Sequence, residues 1–331
     1  MIDIIQVGIG PLGQKMVSSA VRRGSFHIVG AVDTDPAKVG QDLGVLCGME
    51  PLGLTVAGRV EQALAGKSAQ AAVVTTVSCL RAFEAQVAPL ARAQLHIVST
   101  CEELSFPWRI QPELAQKIDA VCRQYGIACV GTGINPGYLM DLLPTVLTAA
   151  CEKVTGIRVS RVQDASVRRI PFQQKIGAGL TVAEFEVKRA DGSLRHVGLP
   201  ESVDFIAARM GWTLDRKSES IDPVMATEAT DAGYKPIAQG MCRGVHQVGR
   251  GFVGDNEVIT LTFTAAVAEP ESYEEVQIEG TPAFHSRIDG GIHGDVATCA
   301  VTLNTARSIL GVGPGLKTMA DLPATSWFAA S

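Results

Sequence analysis

Along the first 140 residues, short and almost wholly apolar runs alternate with longer stretches whose apolar positions recur every three or four residues. The runs IIQVGIG (4–10), HIVGAVD (27–33), AAVVTT (71–76), HIVST (96–100) and IACVGTG (127–133) are rich in β-branched residues and too apolar to leave one face in water. They predict strands buried on both faces. LGQKMVSSAVRRG (12–24) and PELAQKIDAVCRQYG (112–126) carry the helical period and predict crossover helices. The alternation therefore predicts βαβ units, a parallel sheet and a doubly wound Rossmann α/β architecture.

From about Lys153 the pattern changes. TGIRVSRV, EVITLTFTAAVA and EEVQIEG read as strands, and the glycines of GFVGDN between HQVGR and VITLTF read as a hairpin. Thr181 and Glu184 have the spacing of a capping box for TVAEFEVKRA. GDVATCAVTLNTARSIL, from Gly294, has the period of a long final helix. The expected second domain is α+β with a mixed, largely antiparallel sheet. The predicted divisions are a dinucleotide-binding domain over 1–140, a substrate-binding and dimerisation domain over 141–305, and a tail over 306–331 that returns to the first. At the first division, in INPGYLMDLLP, Asn135 is expected to cap a helix with Pro136 at its first position.

Composition removes several function classes. The 331 residues carry a net charge of -5 and no Lys/Arg block, which argues against a nucleic-acid partner. No leader-like start and no long uncharged apolar run is visible, so a soluble cytoplasmic protein with no membrane partner is expected. The eight cysteines include no C-x-x-C pair and read as reduced thiols; the six histidines show no ligand spacing, and no metal is expected.

The candidate chemistry begins at Gly8, Gly10 and Gly13, a G-x-G-x-x-G spacing directly after a strand and before a helix. Gly8 permits the tight turn, Gly10 lets backbone approach a pyrophosphate, and Gly13 allows close helix packing; Pro11 and Leu12 open the helix. Asp33 closes the second strand, where an acid accepts from the adenosine ribose hydroxyls. Thr75 and Thr76, at the end of AAVVTT, and Asn135 complete the predicted cofactor set. Asp33 and Asp35 place two negative charges where a 2′-phosphate would sit, which favours NAD; Lys38 offsets part of that repulsion and keeps NADP open. At the same sheet edge VSTCEELSF puts Glu102 and Glu103 beside the expected nicotinamide site. Tyr138 and Leu139, with Phe172 and Ile176 in the loop region PFQQKIGAGL, are candidate pocket residues. Arg168 and Arg169 are the adjacent cations that an acidic substrate would need.

STCEELSFPW, GTGINPGYLMDLLP, PFQQKIGAGLT, HVGLPES, Gly211–Trp212 and PGLKTMADLP together resemble the 2,4-diaminopentanoate dehydrogenase family, which includes native amine dehydrogenases and is related in fold to dihydrodipicolinate reductase. The resemblance spans Gly8 to Pro323. It implies NAD(P)-dependent oxidative deamination of an amine, reversible as reductive amination of a ketone or aldehyde with ammonia. It also implies a catalytic glutamate in the C-E-E-L motif, mapped onto Glu102 with Glu103 as runner-up. The paired-histidine and D-A-P-S-G-T patterns of the reductases are missing, which argues against their cyclic substrate. A fixed carboxylate suits this chemistry: it stabilises an iminium cation and moves protons as general acid or base. A homodimer is expected, since an open sheet in a substrate domain often buries one face against its twin. Two alternatives stay open, a Rossmann dehydrogenase acting on a hydroxyl or semialdehyde and a non-catalytic dinucleotide sensor.

Overall fold

In the computed structural model, which describes residues 1–329, all five apolar runs of the N-terminal half form strands. In chain order the elements are β1 (Ile2–Val7), α1 (Pro11–Arg23), β2 (Phe26–Val32), the one-turn α2 (Leu43–Leu46), β3 (Val56–Ala57), α3 (Val60–Leu64), β4 (Ala71–Val74), α4 (Leu80–Arg92), β5 (His96–Ser99), α5 (Pro112–Gln124) and β6 (Ala128–Gly131). The chain then builds a separate unit over Leu139–Ile292. It contains α6 (Leu142–Leu147), β7 (Lys153–Asp164), α7 (Ile170–Lys175), α8 (Val182–Ala190), α9 (Leu199–Met210), β8 (Arg216–Met225), the two-residue partners β9 (Thr230–Asp231) and β10 (Pro236–Ile237), β11 (Cys242–Val253), β12 (Asn256–Ala266), β13 (Tyr273–Thr281) and β14 (Phe284–Asp289). From His293 the chain rejoins the first unit through α10 (Gly294–Ser308) and β15 (Gly315–Lys317). The long final helix thus belongs with the N-terminal unit, not with the second as the expected boundary at 305/306 had it.

The first unit is a parallel seven-stranded sheet in the order β15-β6-β5-β4-β1-β2-β3. Its strands are predominantly apolar because helices cover both faces. Leu80, Phe83, Val87 and Leu90 of α4 and Ala115, Ile118 and Cys122 of α5, repeating at helical spacing, join one core with Val74, Ile97 and Cys129 of the strands. Burying a side chain such as Phe83 contributes about 1.5–3 kcal/mol. Strand order reverses between β1 and β4, and that switch point opens the crevice at their carboxyl ends where doubly wound sheets bind ligands. The short β3 and β15 carry too few residues for a sequence period.

The second unit is a six-stranded sheet in the order β14-β13-β7-β12-β11-β8. Only β7 and β12 run parallel; every other neighbouring pair is antiparallel. The predicted hairpin joins β11 and β12, and the Thr181–Glu184 capping box is present. β8 (RKSESIDPVM) is a polar edge strand without the apolar signal of its neighbours. Inside this unit, Arg161 of β7 and Glu274 of β13 form an ion pair at 2.6 Å with side-chain exposures of 2% and 5%. Burial pushes the Arg161 guanidinium down to about 10 and the Glu274 carboxyl up, each opposed by the other's charge. Among the described residues no helix is long and apolar enough to cross a membrane.

One local expectation fails. Residues 132–141 form a mostly buried irregular turn, and the next helix starts at Leu142 with Asp141 as its cap, Oδ1 accepting from the Leu142 N–H at 2.7 Å. Asn135 therefore caps no helix at Pro136. Gly137 sits at φ +121° with its Cα pressed against Gly133, so that a Cβ there would lie 2.5 Å from the Gly133 nitrogen. A helix started at Pro136 has no room for that backbone angle.

Candidate active site

β1 ends at Val7, and the turn Gly8–Gly10 leads straight into α1, whose first residue is Pro11. Gly10 precedes the helix and supplies no side-chain cap to the leading amides of α1. A Cβ on Gly13 would stand 2.0 Å from the Gly8 carbonyl oxygen, so only glycine lets α1 pack this close to the turn. Above Gly10, in contrast, nothing lies within 4 Å of where a Cβ would be. That open approach beside the leading amides and the positive end of a thirteen-residue helix fits a pyrophosphate. The nicotinamide dinucleotide implied by the sequence therefore fits the residues present.

The turn is held from below by a residue that the apolar runs concealed. Gln6 is buried within β1, and its Nε2 donates to the Gly8 carbonyl at 3.0 Å and to Thr75 Oγ1 at 2.8 Å. Thr75 Oγ1 in turn donates to the same carbonyl at 2.9 Å. The signal was present as a lone glutamine in a run predicted to be buried on both faces. Such a residue must find partners, and here they are the glycine turn itself.

From above, Asp33 clamps the same turn. Its Oδ2 accepts from the Ile9 N–H at 2.7 Å and from Lys38 Nζ at 3.3 Å, while Oδ1 accepts from the Asp35 N–H at 2.9 Å. Burial alone would raise the Asp33 carboxyl, but these two amides and the Lys38 ammonium outweigh it and hold the group below the usual carboxylate range. Gly8, Gly10, Asp33, Thr75 and Thr76 line one cavity of about 940 Å³, together with Thr34, Lys38, Arg59, Val77 and Gln86. The volume suits a cofactor-sized ligand. Pro11, Leu12 and Gly13 are not among its lining residues; Gly13 acts through packing. Asn135 lies instead in the buried turn after β6, where the neighbouring Ile134 N–H reaches Thr298 Oγ1 of α10 at 3.4 Å.

The paired acids occupy a short 3₁₀ turn, Glu102–Leu104, just beyond β5. The turn is pinned to the end of the neighbouring strand β4. The Thr100 N–H donates to the Val74 carbonyl at 2.9 Å, and both Cys101 Sγ and the Glu103 N–H donate to the Ser78 carbonyl at 3.2 Å. Thr132 past β6 donates its N–H to Ser99 at 2.8 Å. The ends of β4, β5 and β6 are thus tied together, with both glutamates half-buried at that edge. Glu103 Oε2 accepts from the Leu80 N–H, the first amide of α4, at 2.8 Å and from Gln111 Nε2 at 2.9 Å. It is a helix cap supplied from outside the helix. The Glu102 backbone carbonyl accepts from Ser105, N–H at 3.2 Å and Oγ at 2.9 Å.

Of the candidate pocket residues, Tyr138 is half-buried at the last position of the first unit and Leu139 is buried at the first position of the second. Phe172 and Ile176 are joined through the Ile176 N–H and the Phe172 carbonyl at 3.1 Å. The Arg168 guanidinium covers the Phe172 ring at 4.0 Å and donates to Gln163 Oε1 at 2.8 Å, and Arg169 is half-buried beside it. His196, in HVGLPES, packs its ring against Phe263 with centroids 4.4 Å apart. Burial and the nearby cations Lys175, Arg161 and Arg168 hold its pKa well below the ordinary histidine value, so the ring is neutral at pH 7.

Residues 138–330 match the model of the 2,4-diaminopentanoate dehydrogenase C-terminal domain. The chain belongs to that family. It is 29% identical to the 2,4-diaminopentanoate dehydrogenase of Acetoanaerobium sticklandii over 97% of this chain and 93% of that one. Among solved structures it resembles an amine dehydrogenase from Mycobacterium smegmatis, with a TM-score of 0.86, 23% identity and coverage of 99% and 97% of the two chains. A dihydrodipicolinate reductase from Paenisporosarcina sp. TG-14 matches at a TM-score of 0.50 and 10% identity over 96% of this chain and 97% of that one, a likeness of fold. The family's C-terminal model thus covers the second unit, and the matched relatives extend the likeness over nearly the whole chain.

Proposed function

We propose that the chain is an NAD(P)-dependent amine dehydrogenase with Glu102 as its catalytic residue. It would oxidise an amine to a ketone or aldehyde with release of ammonia, and run in reverse as reductive amination. The observation that carries the residue assignment is the place of the Glu102–Leu104 turn just past β5, tied to the end of β4 through the Thr100 and Glu103 amides. Glu103 Oε2 meanwhile receives the first amide of α4 and Gln111. The family and the two relatives named for amine chemistry support the reaction class.

A nicotinamide bound at the switch point would take up or deliver the hydride. The protein's part is to hold a carboxylate near the carbon–nitrogen bond. The Glu102 carboxylate would stabilise an iminium cation and pass a proton between ammonia and the departing water, and such acid–base assistance contributes about a hundred- to ten-thousand-fold in rate. Gln6 and Thr75 would keep the glycine turn in register, and the Asp33–Asp35 carboxylates favour NAD over NADP.

The test is Glu102→Gln. Ammonia-dependent oxidation of NADH in the presence of a ketone should fall by at least about a hundredfold, while NADH binding followed by fluorescence is retained. Turnover close to wild type in this variant would remove the assignment. Carbonyl reduction without ammonium would favour a hydroxyl dehydrogenase, and tight NADH binding without turnover a sensor. An amine substrate bearing a carboxylate is a second reading, favoured by the half-buried Arg168 and Arg169. Comparing cyclohexanone, a short aldehyde and a 2-oxo acid decides between the two. We also propose a homodimer, supported by the half-exposed sheet face that carries Arg158, Ser160, Thr262 and His246, and testable by sedimentation.

A further inference from the structure

The loop after β2 brings two carboxylates and one ammonium together where an adenosine ribose would be met. Asp33 has little capacity left for ribose hydroxyls. A carboxylate offers about four lone-pair directions, and here Ile9, Lys38 and Asp35 already use three. Lys38 Nζ stands 3.3 Å from Asp33 Oδ2 and 3.3 Å from Asp35 Oδ2, so one ammonium holds both acids. A second cation lines the same cavity. Arg59, exposed at the head of α3, pairs with no acid among the described residues. Lys38 and Arg59 thereby balance the formal charge of Asp33 and Asp35.

Resting on the cofactor reading above, we propose that Lys38 sets the coenzyme choice: by neutralising Asp33 and Asp35 it admits a ribose 2′-phosphate, so that NADP binds as well as NAD, with Arg59 as the phosphate's second cationic contact. The preference for NAD that the two acids create is then small, and Lys38 is what keeps it small. Thr34, the remaining loop residue at the cavity wall, carries no charge and leaves the phosphate unopposed on that side.

The test uses two ligands that differ in the decisive group, adenosine 2′,5′-bisphosphate and 5′-AMP, titrated calorimetrically into the whole purified protein. Wild type should bind both. Lys38→Met should weaken the bisphosphate about five- to a thousandfold, the range spanned by one lost charge contact between water and a protein surface. Because Lys38 also holds Asp33, 5′-AMP should weaken too, but by a smaller factor, so that the ratio of the two affinities falls. Asp35→Asn, an independent variant, should shift selectivity the other way by tightening the bisphosphate alone. The proposal is overturned if Lys38→Met weakens both ligands alike or neither, if Asp35→Asn leaves their ratio unchanged, or if wild type binds 5′-AMP but not the bisphosphate. Failure of the amine reading would look different, since it appears as turnover without ammonium and leaves these affinities untouched. If wild type binds neither ligand, the cavity is not an adenosine site and the proposal falls with it.

Discussion

Replacing Glu274 by glutamine should destabilise the second unit far more than losing one hydrogen bond would. Glu274 Oε1 lies 2.6 Å from Arg161 Nη1 and also accepts from the Ile292 N–H at 3.2 Å. At an effective dielectric of about 20 the Coulomb attraction at this separation is roughly 6 kcal/mol. Desolvating each ion costs several kcal/mol, so the intact pair contributes little net stability. The single substitution keeps the desolvation cost of Arg161 while deleting its counter-charge, and such a change costs about 3–5 kcal/mol. For a unit of roughly 150 residues, each kcal/mol lowers the melting temperature by about 2–4 °C, which gives a fall of about 6–20 °C by calorimetry. The double variant Arg161→Met/Glu274→Leu should recover most of the loss, because neither charge then remains buried. A single-variant loss below about 1 kcal/mol, or a double variant as unstable as the single, would refute the reasoning.

Two further outcomes follow from the cofactor turn. Gly13→Ala should abolish detectable NADH binding and cost about 1–3 kcal/mol or more in urea unfolding, because its methyl group would meet the Gly8 carbonyl at 2.0 Å; near-normal binding would show that α1 has freedom to shift. The Asp33 carboxyl is held below its ordinary range in the folded chain, so its contribution is present above the unfolded-state value and is lost as pH falls through the depressed folded value. NADH binding should accordingly persist through the ordinary carboxylate range near pH 4 and fall only below it, and Asp33→Asn should flatten that acid limb. A fluorescence titration against pH that shows binding lost at or above the ordinary carboxylate range would contradict the clamp.

The fold was legible where physics leaves one solution. Unbroken β-branched runs between helical periods require a sheet covered on both faces, and the first unit has one. Hydrophobic patterning missed β8 because an edge strand facing water does not need it, and missed β3 and β15 because two or three residues carry no period. Asn135–Pro136 misled because a capping residue before proline is a local rule, whereas the backbone there is set by the contact between Gly137 and Gly133. In the candidate site, Gly8, Gly10 and Asp33 were identifiable from spacing alone. Which of two adjacent acids caps α4 was not, since that depends on where the Leu80 N–H falls some twenty residues earlier in the chain. Lys38 was visible as a charge, but its bridging of two acids required the loop's geometry.

The outermost strand of the parallel sheet has a consequence for biosynthesis. Gly315–Lys317 pairs with Ala128–Gly131, yet the whole of Leu139–Ile292 is translated between them. At about 5–20 residues per second, a ribosome needs roughly ten to forty seconds to bridge that gap. During this interval the edge of Ala128–Gly131 lacks its neighbour, and α10 has not yet been made. A nascent chain stalled anywhere before residue 315 would therefore carry an apolar, uncapped strand, the kind of edge that recruits chaperones or other copies of itself. Trimming the C-terminus past that strand should injure the nucleotide-binding half first, although its glycine turn lies some three hundred residues away.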